Sequence, residues 1–187
     1  TSDEIRCRFT AKTVIDLQGK TVMPGFIDAH AHLKGLGQLL QSVTLVGAPS
    51  AEEVVRALRD RVERAQPGEW ITGRGWDQNL WPVKEFPTAA LLDAIAPDNP
   101  VSLIRIDGHA IWVNSRAMAV AGVSKNTPDP HSGKILRDRN GNPTGVFIED
   151  SARDLIERAI PDFTDAEIEQ SIINAMTECA KVGLTQV

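Results

Sequence analysis

The sequence is poor in residue types that mark several protein classes. Its 187 residues include no tyrosine, and aromatic residues make up only 5%. The two cysteines, Cys7 and Cys179, lie too far apart for a metal-binding or redox motif, so we expect reduced thiols in a cytoplasmic protein. No apolar run approaches the roughly 20 residues of a membrane span, so we expect a soluble chain without a membrane partner.

The net charge of the chain bears on whether it binds nucleic acid. Twenty basic and 25 acidic residues give a net charge of −5 with no basic block, which disfavours nucleic acid as a partner. The rest is ordinary globular composition, with 42% hydrophobic residues. No secretory leader is visible, and because the chain begins with Thr1 rather than Met, we expect its start to be trimmed or incomplete.

Helix and strand signals alternate and predict an α/β protein. Strands are predicted over residues 14–17, 21–23, 26–32, 70–76, 101–107, 134–137, 144–148 and 184–187. Capping boxes at Ser50–Glu53 and Thr164–Glu167 predict two helices, and Ser115 is expected to cap a third. Because the last strand follows a long amphipathic helix, as in half of an α/β unit, we expect the natural chain to continue past Val187.

Two histidines suggest a metal site. On the predicted strand 26–32, Asp28, His30 and His32 point to the same face, which brings two imidazoles together as a metal ion requires. Neutral imidazole suits zinc, iron, nickel or cobalt, and Asp28 could accept a ring N–H as a supporting partner. The alternative is that both are surface or packing histidines.

Several ordered blocks identify a family resemblance. The segment Pro24-Gly25-Phe26-Ile27-Asp28-Ala29-His30-Ala31-His32 resembles the entry to the barrel of the amidohydrolase superfamily. Three further blocks resemble the branch called amidohydrolase 3, which includes enzymes similar to N-substituted formamide deformylase. They are residues 73–77 (GRGWD), 105–115 (RIDGHAIWVNS) and 141–149 (GNPTGVFIE).

The resemblance implies the N-terminal part of a distorted TIM barrel with a large α/β insertion. Residues 1–25 would belong to a small β-sandwich-like domain, 26–48 to the first barrel strand and following loop, and 49–161 to the insertion. Residues 162–187 would supply the first barrel helix and the start of the second barrel strand.

The same resemblance implies a metal-dependent hydrolase. A metal-activated water would attack a non-peptide carbon–nitrogen bond of a small-molecule substrate. His30 and His32 would ligate one or two divalent ions, with zinc expected. The remaining ligands and the general base would lie outside this chain, so the fragment alone is expected to be inactive.

Three more residues are candidates for substrate binding. His109 lies in one family block after an apolar strand, although it could be a turn histidine without a catalytic task. Trp76 lies in another block, although the four tryptophans could instead form the core of the insertion. Glu149 could face the site, or could join Asp150 near a helix start, where acids are favourable.

Two alternatives remain at the sequence level. A PHP-type phosphoesterase also opens its barrel with a His-x-His strand, but has no place for the strands predicted upstream. A non-catalytic binding or assembly fragment would expose the edge of residues 184–187, which favours a homo-oligomer.

Overall fold

The computed structural model describes residues 2–187, with side chains from Glu4 onward. Its helices are α1 (Ser2–Arg8), α2 (Leu33–Gln41), α3 (Ala51–Arg64), α4 (Ala89–Asp93), α5 (Ser115–Val120), α6 (Asp150–Glu157) and α7 (Asp165–Lys181). Its strands are β1 (Phe26–Ile27), β2 (Val43–Thr44), β3 (Ile71–Trp76), β4 (Val101–Arg105), β5 (Ala110–Val113), β6 (Lys134–Arg137), β7 (Pro143–Ile148) and β8 (Leu184–Gln186). A small unit contains the residues up to Ala31 and Cys179–Val187, and a large unit contains His32–Glu178.

In the small unit, β1 and β8 pair in parallel. Gly25 permits this close approach, because a Cβ atom at that position would lie 2.1 Å from the Thr185 hydroxyl oxygen. The predicted strand at 184–187 is confirmed by β8. The predicted strands at 14–17 and 21–23 are wrong, since residues 9–25, all within the described range, form no strand. Ile15 and Val22 are 77% and 72% exposed, so this segment lacks the packed face that stabilises a strand.

The strand predicted over residues 26–32 is shorter than expected. β1 covers only Phe26–Ile27, and α2 begins at Leu33, where a loop was expected. The Asp28 carboxylate accepts a hydrogen bond from the His30 backbone N–H at 3.0 Å, a local turn that competes with strand pairing. The prediction that Asp28, His30 and His32 share one strand face is therefore wrong.

The large unit is built on a six-stranded mixed sheet in the order β2-β3-β4-β5-β7-β6. β2, β3 and β4 are parallel, and the pairs from β4 to β6 are antiparallel. The strands predicted at 70–76 and 101–107 and the hairpin of 134–137 with 144–148 are confirmed. β5 was not predicted.

Two apolar clusters lie on opposite faces of this sheet, as the alternation along β5 shows. Trp112 belongs to a cluster with Trp76 and with residues of α3 and α4. Its neighbour Ile111 belongs to a second cluster, with Phe147 and with residues of α5 and α6. Because consecutive side chains point to opposite faces, one buried strand contributes to both clusters.

The helices of this unit start largely where the sequence predicted. The Ser50 hydroxyl accepts a hydrogen bond from the Glu53 N–H at the start of α3. The cap of α5 is a correction, because the Asn114 side chain, not Ser115, accepts the hydrogen bond from the Ala117 N–H. Ser115 is the first helical residue instead, and its hydroxyl donates to Asp93 at 2.7 Å.

The sequence predictions about membrane spans and cysteines can be compared with the structure. Among the described residues, no helix is long and apolar enough to cross a membrane. Cys7 is exposed and Cys179 partly buried, and neither forms a disulfide.

Candidate active site

A short turn between β4 and β5 presents His109. Gly108 has a φ of +82°, a backbone conformation that glycine adopts without a steric penalty. One Asp107 carboxylate oxygen accepts a hydrogen bond from the His109 N–H at 3.0 Å, and the other lies 2.7 Å from the Arg105 guanidinium. The turn is therefore fixed at its base, while the His109 side chain is 63% exposed.

His109 forms a pair with Glu149, 40 positions along the chain. Antiparallel pairing of β5 with β7 places Ala110 opposite Ile148, so the residues flanking this register meet at the strand ends. The Glu149 N–H donates to the His109 carbonyl at 2.8 Å, and a Glu149 carboxylate oxygen lies 3.1 Å from His109 Nδ1. Two predicted substrate-binding residues are thus brought together on one surface.

The Glu149 backbone is strained. Its φ of 65° and ψ of 159° lie in a region that is occupied almost only by glycine. Holding a residue with a side chain there costs on the order of 1–3 kcal/mol. Glu149 directly precedes α6, where an acidic residue is favourable, but its side chain makes no capping hydrogen bond and its carboxylate pairs with His109 instead. Such outliers persist where the surrounding structure holds them in place, and they cluster at functional sites.

Sequence reasoning missed Arg153, which contacts both sides of this pair. From α6 its guanidinium donates to the Gly108 carbonyl, in the turn that carries His109. It also pairs with Glu157 at 2.7 Å and with Asp150 at 3.1 Å, and its side chain is only 16% exposed. The helical spacing predicts the two ion pairs, but no sequence signal indicates the contact with Gly108.

Trp76 lies in the core. Its side chain has no exposed surface, and its indole N–H donates to the Leu103 carbonyl at 2.8 Å. The ring centroids of Trp81 and Trp112 lie 6.0 and 6.2 Å away. These contacts favour the alternative in which the tryptophans form the core of the insertion, since they leave Trp76 no surface for a substrate.

A family model now decides the relationship. The model Amidohydro_3, described as the Amidohydrolase family, matches residues 13–187, which include both the His-x-His segment and the His109–Glu149 pair. The chain belongs to the amidohydrolase family.

Other amidohydrolase relatives agree with this assignment. The chain is 39% identical over 171 residues to YtcJ of Bacillus subtilis (strain 168), which is named as an amidohydrolase. This alignment covers 91% of the present chain and 32% of YtcJ. The chain is also 35% identical over 179 residues to N-substituted formamide deformylase of Arthrobacter pascens. That alignment covers 93% of the present chain and 33% of the deformylase. The chain therefore spans about a third of the length of the curated relatives it matches.

A solved structure extends the likeness to the fold. The crystal structure of an uncharacterized metal-dependent hydrolase from Pyrococcus horikoshii OT3 matches with a TM-score of 0.66 and 29% identity. The match covers 98% of this chain and 34% of that one. The mixed α/β architecture is thus shared with a metal-dependent hydrolase.

The donor set for a metal is partial. Among the described residues, no group of three or more His, Cys, Asp or Glu side chains is placed to hold a metal ion. His30 and His32 offer two imidazoles of suitable chemistry, whereas a catalytic zinc usually has three protein ligands. The described residues therefore fit part of the ligand set of a metal site, not a complete set.

Proposed function

We propose that this chain is the N-terminal portion of a metal-dependent amidohydrolase that cleaves a non-peptide carbon–nitrogen bond in a small-molecule substrate. The observation that carries the proposal is the family match over residues 13–187. The relative named as a deformylase of N-substituted formamides supports an amide-type substrate.

The barrel assignment belongs to the same proposal. β1 and β8 pair in parallel, and α7 precedes β8 along the chain. A TIM barrel repeats a strand that is followed by a helix, which leads to the neighbouring parallel strand. We therefore assign β1 and β8 as the first two barrel strands, and the six-stranded sheet as the insertion between them.

His30 and His32 are proposed as two ligands of a divalent metal, with zinc expected and one or two ions bound. When bound, such an ion lowers the pKa of a coordinated water and polarises a carbonyl group. Asp28 contributes by fixing the local backbone, through its hydrogen bond with the His30 N–H. The remaining ligands and the general base are expected outside this chain.

His109 and Glu149 are proposed to contact the substrate. Both side chains are more than half exposed, at 63% and 52%, yet their backbones are fixed by hydrogen bonds. With its Nδ1–H bonded to Glu149, His109 offers the Nε2 lone pair, and the Glu149 carboxylate offers further acceptors, so the prearranged pair suits the N–H of an amide group.

The metal assignment can be tested on the full-length gene product. We expect the His30→Ala/His32→Ala double variant to lose most of its bound metal, measured by elemental analysis after removal of loosely bound ions. His131→Ala is the matched control, because His131 is exposed and has no assigned role. Wild-type metal content in the double variant would contradict the proposal.

The substrate class is tested in parallel. A panel of N-substituted formamides and acetamides, measured beside p-nitrophenyl phosphate, separates an amidohydrolase from a phosphoesterase. Hydrolysis of amides that is lost in the double variant supports the proposal. Hydrolysis of the phosphate ester alone overturns it in favour of a PHP-type enzyme.

A further inference from the structure

The largely buried guanidinium of Arg153 joins two segments that are distant in sequence. On one side it is held within α6 by Asp150 and Glu157. On the other side it donates to the Gly108 carbonyl, 45 positions earlier in the chain. A planar guanidinium can satisfy several acceptors at once in a fixed geometry, which a flexible lysine ammonium cannot do.

The two segments that Arg153 joins carry the two members of the His109–Glu149 pair. His109 follows Gly108 directly, and Glu149 directly precedes α6. Glu149 is also tied to α6 by the helix backbone, since the N–H of residue 153 donates to the Glu149 carbonyl at 3.0 Å. The strained backbone of Glu149 needs such support, because nothing in its own conformation favours it.

The geometry of the pair favours one tautomer of a neutral His109. An ionised carboxylate only accepts hydrogen bonds, so a neutral His109 must carry its proton on Nδ1 to bond Glu149 at 3.1 Å. Nε2 then has a lone pair, and with most of the side chain exposed it is available to a donor group of a ligand. The geometry points to Arg153 as a positioning residue that, by tying α6 to the Gly108 turn, keeps His109 in the Nδ1–H tautomer.

The positioning role of Arg153 rests on the proposed function only in one respect, namely that the group which Nε2 would contact is the substrate. Its test needs neither metal nor substrate. In the full-length gene product labelled with ¹⁵N-histidine, the imidazole signals of His109 are assigned as those that disappear in His109→Gln. Spectra recorded at pH 9 report the tautomer of each ring whose ¹⁵N shifts show it to be neutral. We expect His109 to be predominantly Nδ1–H in the wild-type chain and in Arg158→Met. Arg158 is the matched control, because it pairs with Asp154 beside the same helix but its side chain is 78% exposed.

Arg153→Met should at least halve the Nδ1–H fraction of His109, while thermal melting verifies that the variant is folded. Arg153→Lys, a milder change that retains the charge, should give an intermediate fraction and serves if the methionine variant melts too low. An unchanged Nδ1–H fraction in the folded variants overturns the positioning role, as does a wild-type His109 that carries its proton on Nε2. Metal loss or inactivity of the full-length enzyme would instead bear on the proposed function alone.

Discussion

Replacing Glu149 by glycine should reveal the strain at this position. Glycine adopts a φ of 65° and a ψ of 159° freely, whereas alanine, like glutamate, does not. Both substitutions remove the carboxylate and its pairing with His109. The comparison of Glu149→Gly with Glu149→Ala therefore isolates the backbone contribution to the free energy of unfolding.

The expected difference follows from two opposing effects. Relief of the unfavourable conformation favours glycine by about 1–3 kcal/mol. The greater freedom of glycine in the unfolded chain favours alanine by about 0.5–1 kcal/mol. Glu149→Gly should thus be more stable than Glu149→Ala by roughly 1 kcal/mol, the reverse of the order at ordinary positions.

Urea unfolding followed by tryptophan fluorescence measures this difference, because all four tryptophans lie in the large unit. With a slope of about 2 kcal/mol/M, the midpoints should differ by about 0.5 M. The same two substitutions at Asp150, whose φ is not positive, provide the control and should favour alanine. If Glu149→Ala equals or exceeds Glu149→Gly in stability, the backbone is not strained and the functional argument drawn from it fails.

Two further predictions concern the large unit. Asn114 is fully buried, and its side chain makes four hydrogen bonds: the oxygen accepts from the N–H groups of Val101 and Ala117, and the amide nitrogen donates to the carbonyls of residues 96 and 99. Asn114→Ala should therefore lower the free energy of unfolding, measured in urea, by about 3–4 kcal/mol, because the helix cap and buried hydrogen bonds are lost. The control Asn126→Ala, at an exposed position, should lower it by less than about 0.5 kcal/mol. A decrease below about 1 kcal/mol for Asn114→Ala would refute this prediction. Hydrogen bonds to the Glu167 carboxylate lower its pKa from 4.5; the larger effect comes from the Thr164 hydroxyl and the smaller from the Thr164 backbone N–H. These bonds therefore stabilise the fold above the unfolded-state pKa of Glu167, and the stabilisation is lost as the pH falls through the folded-state pKa. Glu167→Gln should lower the Tm at pH 7 but have a smaller effect at pH 3, and an equal effect at both pH values would contradict this reasoning.

The elements that the sequence predicted well carry local signals. At Thr164 both hydrogen bonds of the predicted capping box with Glu167 form, and at Ser50 the hydroxyl accepts from the Glu53 N–H as expected. The hairpin of β6 and β7 is likewise specified by a turn between adjacent strands. At 14–17 and 21–23 the predicted turn does form, with the Lys20 N–H donating to the Leu17 carbonyl at 2.9 Å, but the exposed flanking segments have no packed face and form no strand.

The candidate site was predictable as a set of residues but not as an arrangement. His109 and Glu149 were both singled out, yet their contact depends on the β5–β7 register, and β5 was missed. Trp76 was singled out for its family block, but burial decides its position and cannot be read from that block. The contact between Arg153 and Gly108 depends on how α6 packs on the sheet, which is a tertiary property.

The pairing of β1 with β8 has a consequence for the order of folding. Phe26 is in register with Leu184, so the contact closes a loop that contains every residue of the large unit. Closing so long a loop in a disordered chain is entropically costly, whereas the strand neighbours in the large sheet are closer in sequence. During synthesis, β1 leaves the ribosome long before its partner, and the six-stranded sheet can form in the interval. The first strand of the proposed barrel must therefore wait, unpaired with β8, until the residues after α7 have emerged.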